Sequence, residues 1–167
     1  MNGDEAVARA RTLFLDDSHP YGCAETAFMV LKEAFGLPAP TDPSAAMTLN
    51  GGVAHSGGIC GAISGSALAV GLLAGRRIED HALAKRTASE IVSRLLDDFA
   101  QKYGAVDCHA LLGREIRTPE QHQAFLDSGV WRRSCMAQVA HVVHSLAELP
   151  DDPIWDHATA AGHPRPR

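Results

Sequence analysis

Apolar side chains recur along this chain at intervals of three and four residues, the spacing of one helix face, and nowhere in the convincing two-residue alternation of a half-buried strand. Residues 4–17 carry Ala6, Val7, Ala10, Leu13 and Phe14 on one side, which predicts an amphipathic helix stopped by Ser18-His19-Pro20. Residues 21–36 predict a second, with Cys23, Ala27, Phe28, Leu31 and Phe35 on one stripe and Gly36 as terminator. Cys23 then faces inward. Three prolines between Leu37 and Ser44 demand a connection, because neither a helix interior nor a central strand accepts them. A glycine-rich stretch follows over residues 51–58.

Residues 59–75 read as a buried helix opened by Cys60, in which Gly61, Gly65 and Ala69 recur every fourth position. Such a seam of small residues lets another helix approach closely. The longest periodic segment is 80–103, with Ala84, Ala88, Ile91, Leu95 and Phe99 in phase and Gly104 as its stop. Asp107 reads as the N-cap of a short helix holding Cys108, Leu111 and Leu112 and ending at Gly113. Thr118-Pro119-Glu120-Gln121 is a capping box with proline at the first helical position. The last helix is expected over 130–149, with Cys135, Val139, Val142, Leu146 and Leu149 on its apolar side and Pro150 closing it. The prediction is all-α: a single compact multi-helix domain over residues 1–150, with a glycine-rich loop before a buried central helix, and a flexible C-terminal tail over 151–167.

Composition agrees. With 167 residues, 46% of them hydrophobic and 21% charged, the chain can bury a core and is not disordered. Its greasiest stretch, residues 59–73, is too short and too broken by glycine and serine to span a membrane. The N-terminus lacks the basic start and apolar centre of a secretory signal, so the expected location is cytoplasmic. A net charge of −5 speaks against a nucleic-acid or anionic-membrane partner. With two Trp, two Tyr and five Phe, the core must be filled mainly by Ala, Gly, Leu and Val, which suits closely packed helices.

The four cysteines change the picture. In a cytosolic chain they are not a disulfide framework by default. Cys23, Cys60, Cys108 and Cys135 fall one to each predicted helix, at intervals far longer than a CxxC step. That spacing excludes a zinc ribbon, a bacterial ferredoxin loop, a thioredoxin motif and CxxCH haem attachment. A lone cysteine on an apolar stripe is usually packing. Cys23, Cys60 and Cys108, however, lie near helix starts, where unpaired backbone N–H groups favour a thiolate, while Cys135 falls later in its helix.

These residues resemble a known family. Cys23-Ala24 at a helix start, Cys60-Gly61-Ala62-Ile63-Ser64-Gly65, Asp107-Cys108 with Leu111-Leu112-Gly113, and Cys135 with Val139 are together similar to the C_GCAxxG_C_C family of redox-active proteins, over about residues 21–149. The family label orders its central motif Gly-Cys-Ala, where this chain reads Cys60-Gly61-Ala62. The resemblance implies a helical domain with a redox role. Related domains in split-Soret-type cytochromes occur beside an iron–sulfur centre, which points to a cluster here.

Four converging thiols fit two chemistries. In one, Cys23, Cys60, Cys108 and Cys135 ligate a cluster, a [2Fe–2S] type being expected, for electron transfer or redox sensing. In the other, Cys60 and a second cysteine such as Cys108 cycle between dithiol and disulfide. A structural zinc–thiolate site ranks third. His55, in the glycine-rich loop, and His109, beside Cys108, are second-tier candidates for a ligand or a proton relay. His141 and His144 lie around the last helix away from Cys135 and read as solvated surface residues. Arg76-Arg77 and Arg132-Arg133 read as solvated helix ends. The expected partner is a redox protein of unidentified kind, and the glycine seam suits a homodimer contact as well as one within the chain.

Overall fold

A capping box starts the first helix. Asn2 Oδ1 accepts from the Glu5 N–H and Glu5 Oε2 accepts from the Asn2 N–H, both at 2.9 Å. The protein is described from a computed structural model covering residues 1–16 and 21–156. Helix α1 (Gly3–Phe14) buries Ala6, Ala10 and Phe14. The expected Ser18-His19-Pro20 stop lies outside the described residues.

Helix α2 (Cys23–Ala34) is buried from Ala24 to Lys32 without a break, as expected of a helix enclosed on all sides. It contacts α1, the next long helix and the last one. Its buried Lys32 is satisfied by the proline-rich connection: Nζ donates to the carbonyls of Ala39 and Asp42, at 2.6 Å each. A 3₁₀ segment over Ser44–Leu49 leads into the glycine-rich loop.

Helix α3 (Gly61–Arg77) turns its small-residue seam onto α2 of the same chain. A Cβ added to Gly61 would lie 2.5 Å from Cys23 Sγ, and one added to Gly65 would lie 2.2 Å from the Ala24 carbonyl oxygen. The two backbones touch because no side chain separates them. Helix α4 (His81–Tyr103), capped by Asp80 on the Leu83 N–H at 2.7 Å, lays Ala84, Thr87, Ile91, Leu95 and Phe99 on the core. Helix α5 (Cys108–Leu112) is a short turn. Helix α6 (Pro119–Asp127) begins with the expected capping box between Thr118 and Gln121.

Helix α7 is shorter than its periodicity suggests. Residues Val130–Arg132 form a 3₁₀ turn, and the helix proper runs over Ser134–Leu146. Cys135 is therefore its second residue and not, as expected, a position further along. Pro150 sits within a 3₁₀ turn, Leu149–Asp151. Beyond it Trp155 is buried and donates from Nε1 to the Leu149 carbonyl at 2.6 Å; residues 157–167 lie outside the described part.

The structure is all-α. Among the described residues no strand forms beyond an isolated antiparallel bridge between Ile59 and Asp107. No described helix is long and apolar enough to cross a membrane.

Candidate functional site

Each cysteine occupies the first turn of a different helix. Cys23 and Cys108 are the first residues of α2 and α5, Cys60 is the N-cap of α3, and Cys135 is the second residue of α7. A short strap holds two of them together. Across the Ile59–Asp107 bridge, the Cys60 N–H donates to the Val106 carbonyl at 2.8 Å and the Cys108 N–H to the Gly58 carbonyl at 2.7 Å. Asp107 stands at the N-cap position but makes no side-chain capping bond, so this strap orders the start of α5 instead.

Asn50 organises the start of α2. Its Oδ1 accepts from the Ala24 N–H at 3.0 Å and lies 4.0 Å from Cys23 Sγ, while its Nδ2 donates to Glu25 Oε2 at 2.8 Å. Cys23 Sγ also rests against Gly61, so a thiol of α2 packs on the first turn of α3. Cys60 Sγ donates to Gln138 Oε1, 3.6 Å away on α7, one turn beyond Cys135.

Burial pushes every one of these thiols above the ordinary range. For Cys23, the backbone N–H groups of Gly51, Ala24 and Ala62 pull the other way but do not prevail. Burial raises Cys60 first, with the Cys23 and Cys108 charges adding to it. Cys108 is pushed up to about 12 by burial and then by Cys23. Cys135 is raised by burial and by all three other cysteines. The expectation that helix starts favour a thiolate is thus corrected: desolvation outweighs the helix N-terminus at each position where a shift is seen.

The loop before Cys60 is unusual. Gly51, Gly52, Val53, Ala54 and His55 all have positive φ, at 64°, 75°, 66°, 49° and 59°, a left-handed turn of five residues. Glycine adopts this freely, but for Val53, Ala54 and His55 it costs about 1–2 kcal/mol each. Strain of this kind persists where it positions something. Here it carries the Gly51 N–H toward Cys23 and His55 into a cavity. Because Val53 is half exposed, Val53→Gly is expected to raise stability in urea by about 1 kcal/mol. An unchanged or lower midpoint contradicts the strain.

That cavity, of about 460 Å³, is lined by Cys23, Cys108 and Cys135, by His55, and by apolar and aromatic side chains from α1, α5, α6 and the turn before α7. Cys60 is not among the residues that line it. His109 does not reach it; the residue is exposed and borders a smaller cavity of about 170 Å³ with Ser56, Gly57, Glu115 and Arg117. Sequence reasoning missed His122, whose ring lies 4.5 Å from that of His55 and lines the same cavity. The capping box at Thr118 fixes the start of α6 and sets His122 and Phe125 on one face, a signal that could have found it.

The two α7 histidines part company. His144 is exposed as expected, 3.7 Å from Asp4. His141 is not a solvated residue: α4 covers it, with Asp98 Oδ2 at 2.8 Å from Nε2, Lys102 Nζ at 3.1 Å from Nδ1, and the rings of Phe99 and Tyr103 alongside. Burial, then Lys102, holds its pKa below the usual value despite Asp98. The unfolded chain takes up this proton near pH 6.5 while the folded chain resists, so stability is lost as the pH falls through about 6.5. The urea midpoint is expected to drop between pH 7.5 and 5.5. His141→Gln should shrink that drop, and an equal drop in the variant contradicts the assignment.

In this all-α chain, four different helices each carry one cysteine in their first turn. Over residues 21–149 the chain matches the family described as "Putative redox-active protein (C_GCAxxG_C_C)", and it belongs to that family. No curated protein and no solved structure matches it.

Proposed function

We propose that the four cysteines hold an iron–sulfur cluster through which the protein passes or senses electrons. The observation that carries this reading is the placement of Cys23, Cys60, Cys108 and Cys135 in the first turns of four helices, three of them, Cys23, Cys108 and Cys135, lining one cavity. Soft sulfur donors suit iron–sulfur chemistry, and helix-start N–H groups, such as those of Ala62 and Ile63 facing Cys60, can hydrogen-bond to ligand sulfur. When bound, such a cluster supplies a one-electron redox couple.

The fit can be judged from the donors as they stand. Among the described residues no three His, Cys, Asp or Glu side chains are gathered closely enough to hold a metal ion. Cys23, Cys108 and Cys135 line one cavity without closing into a tetrahedron, which suits a multi-iron group better than a zinc–thiolate site. Burial keeps the thiols protonated, and among the described residues lining that cavity there is no Lys or Arg, so thiolates formed there would need a bound cationic centre to balance their charge. Cys60 and Cys108, aligned across the strap, favour a dithiol pair as a second reading. Their exposures of 3% and 7% weigh against exchange with a protein partner.

Thiol accessibility separates the two. Four cysteines per chain should react with a chromogenic disulfide in the unfolded metal-free protein. After anaerobic reconstitution with iron and sulfide, and before any denaturant, all four should be protected and should be released together by a chelator. A loss of two thiols on air oxidation without iron, reversed by dithiothreitol, would favour the dithiol pair and sink the cluster reading.

A further inference from the structure

The cavity beside the cysteines is larger than sulfur ligation needs, and its other walls are of a consistent kind. At about 460 Å³ it falls within the roughly 300–1,000 Å³ range of small-molecule sites. Two aromatic groups from different elements line it. Phe14 of α1 meets Trp131 edge-on at 5.5 Å, and the ring of His55 of the left-handed turn lies 4.5 Å from that of His122, tilted by 53°, with His122 itself 6.3 Å from Phe125.

Charge narrows the ligand. With no Lys or Arg among the described lining residues, nucleotides, phosphate esters and carboxylates meet no counter-ion there. Hydrogen bonding narrows it further. Among the described residues, neither the His55 nor the His122 ring makes a hydrogen bond, so two imidazoles facing the cavity keep donors and acceptors unused. Burial keeps His55 below the ordinary histidine range, so at neutral pH its ring offers one N–H and one lone pair.

We propose that this chamber binds a neutral, flat aromatic carrier of the quinone class, its ring against Phe14, Trp131 and Phe125 and a carbonyl oxygen accepting from the His55–His122 pair. The binding stands on the chamber alone; the role as electron partner rests on the redox reading of the four cysteines. A seated quinone gains two electrons and two protons to leave as hydroquinone. The electrons come one at a time from the reduced cysteine site, which a protein donor re-reduces between them. The two protons come from water, one through the imidazole pair to the carbonyl oxygen it holds and one directly to the other carbonyl oxygen.

The test uses the full chain and tetramethyl-1,4-benzoquinone, whose blocked ring positions disfavour addition of thiols. Of the two tryptophans, Trp131 lines the chamber and Trp155 does not. In Trp155→Phe, quinone should quench the remaining Trp131 emission saturably, whereas Trp131→Phe should show only linear, collisional quenching. His122→Leu should weaken binding at least about tenfold, while His122→Gln, which keeps a donor, should stay within about threefold. Anthraquinone-2-sulfonate, a charged probe, should bind at least tenfold more weakly. Linear quenching of Trp131, unchanged binding by His122→Leu with native circular dichroism, or equal binding of the sulfonate each overturns the proposal. Bleaching of the quinone by dithionite-reduced, desalted and cluster-loaded protein completes it. Saturable binding without bleaching leaves the chamber standing and defeats the redox reading of the cysteines.

Discussion

Gly65→Ala is expected to destabilise the protein by about 3 kcal/mol, a large effect for one methyl group. The added Cβ would sit 2.2 Å from the Ala24 carbonyl oxygen and 2.9 Å from the Ala24 carbonyl carbon and Cα. These are backbone atoms of a buried helix, so no side chain can swing aside and α2 and α3 must separate. The separation also moves Cys23 away from Cys60, coupling stability to the site. Gly71 and Gly75 provide the control on the same helix, because a Cβ at either meets nothing within 4 Å. Gly71→Ala and Gly75→Ala should therefore stabilise by up to about 1 kcal/mol each through helix propensity. Urea unfolding of the three variants checks the contrast. A Gly65→Ala midpoint equal to that of Gly71→Ala would show that the helices do not touch at this seam.

Serine in place of any one cysteine should reduce the iron retained after reconstitution and desalting at least about tenfold, since the harder hydroxyl is a poor cluster ligand in this setting. The four variants should behave alike even though Cys60, Cys108 and Cys135 are buried and Cys23 is only partly so. Stability of the metal-free variants should change far less, by about 1–2 kcal/mol, from placing a hydroxyl in an apolar site. His109→Ala is the comparison, an exposed residue on the other cavity, and should retain iron normally. If iron content follows folding stability across the five variants and not cysteine identity, the cysteines are packing residues and nothing more.

Much of the fold is legible in the chain because its signals are local. The Thr118 capping box, glycine stops and the four-residue seam mark helices within a few residues of where they lie, whereas the seam's partner, α2 of the same chain, is set by the packing and not by the local pattern. The start of α7 is misread for a physical reason: the 3₁₀ turn at Val130–Arg132 keeps the apolar rhythm nearly in phase, so periodicity passes through it. That one offset hid the rule that all four cysteines stand in first turns. The left-handed turn carries no propensity signal, since Val53, Ala54 and His55 disfavour positive φ and are held there by backbone hydrogen bonds of the loop, among them Ala54 N–H to the Thr48 carbonyl and His55 N–H to the Asn50 carbonyl. The pairing of His122 is hidden because its partner His55 is distant in sequence. Reading helix starts as thiolate sites considered the local field and left out desolvation, a property of the whole packed core. His141 shows the same gap, its face being polar in the sequence yet covered by α4.

The central claim is that helix packing assembles four distant cysteines into one redox site that carries iron and sulfide. Anaerobic reconstitution, desalting and assay of iron and acid-labile sulfide, with visible absorption before and after dithionite, tests it most directly. The account predicts equal amounts of iron and sulfide per chain and a visible band that bleaches on reduction and returns on oxidation. A colourless chain that retains neither iron nor sulfide contradicts it.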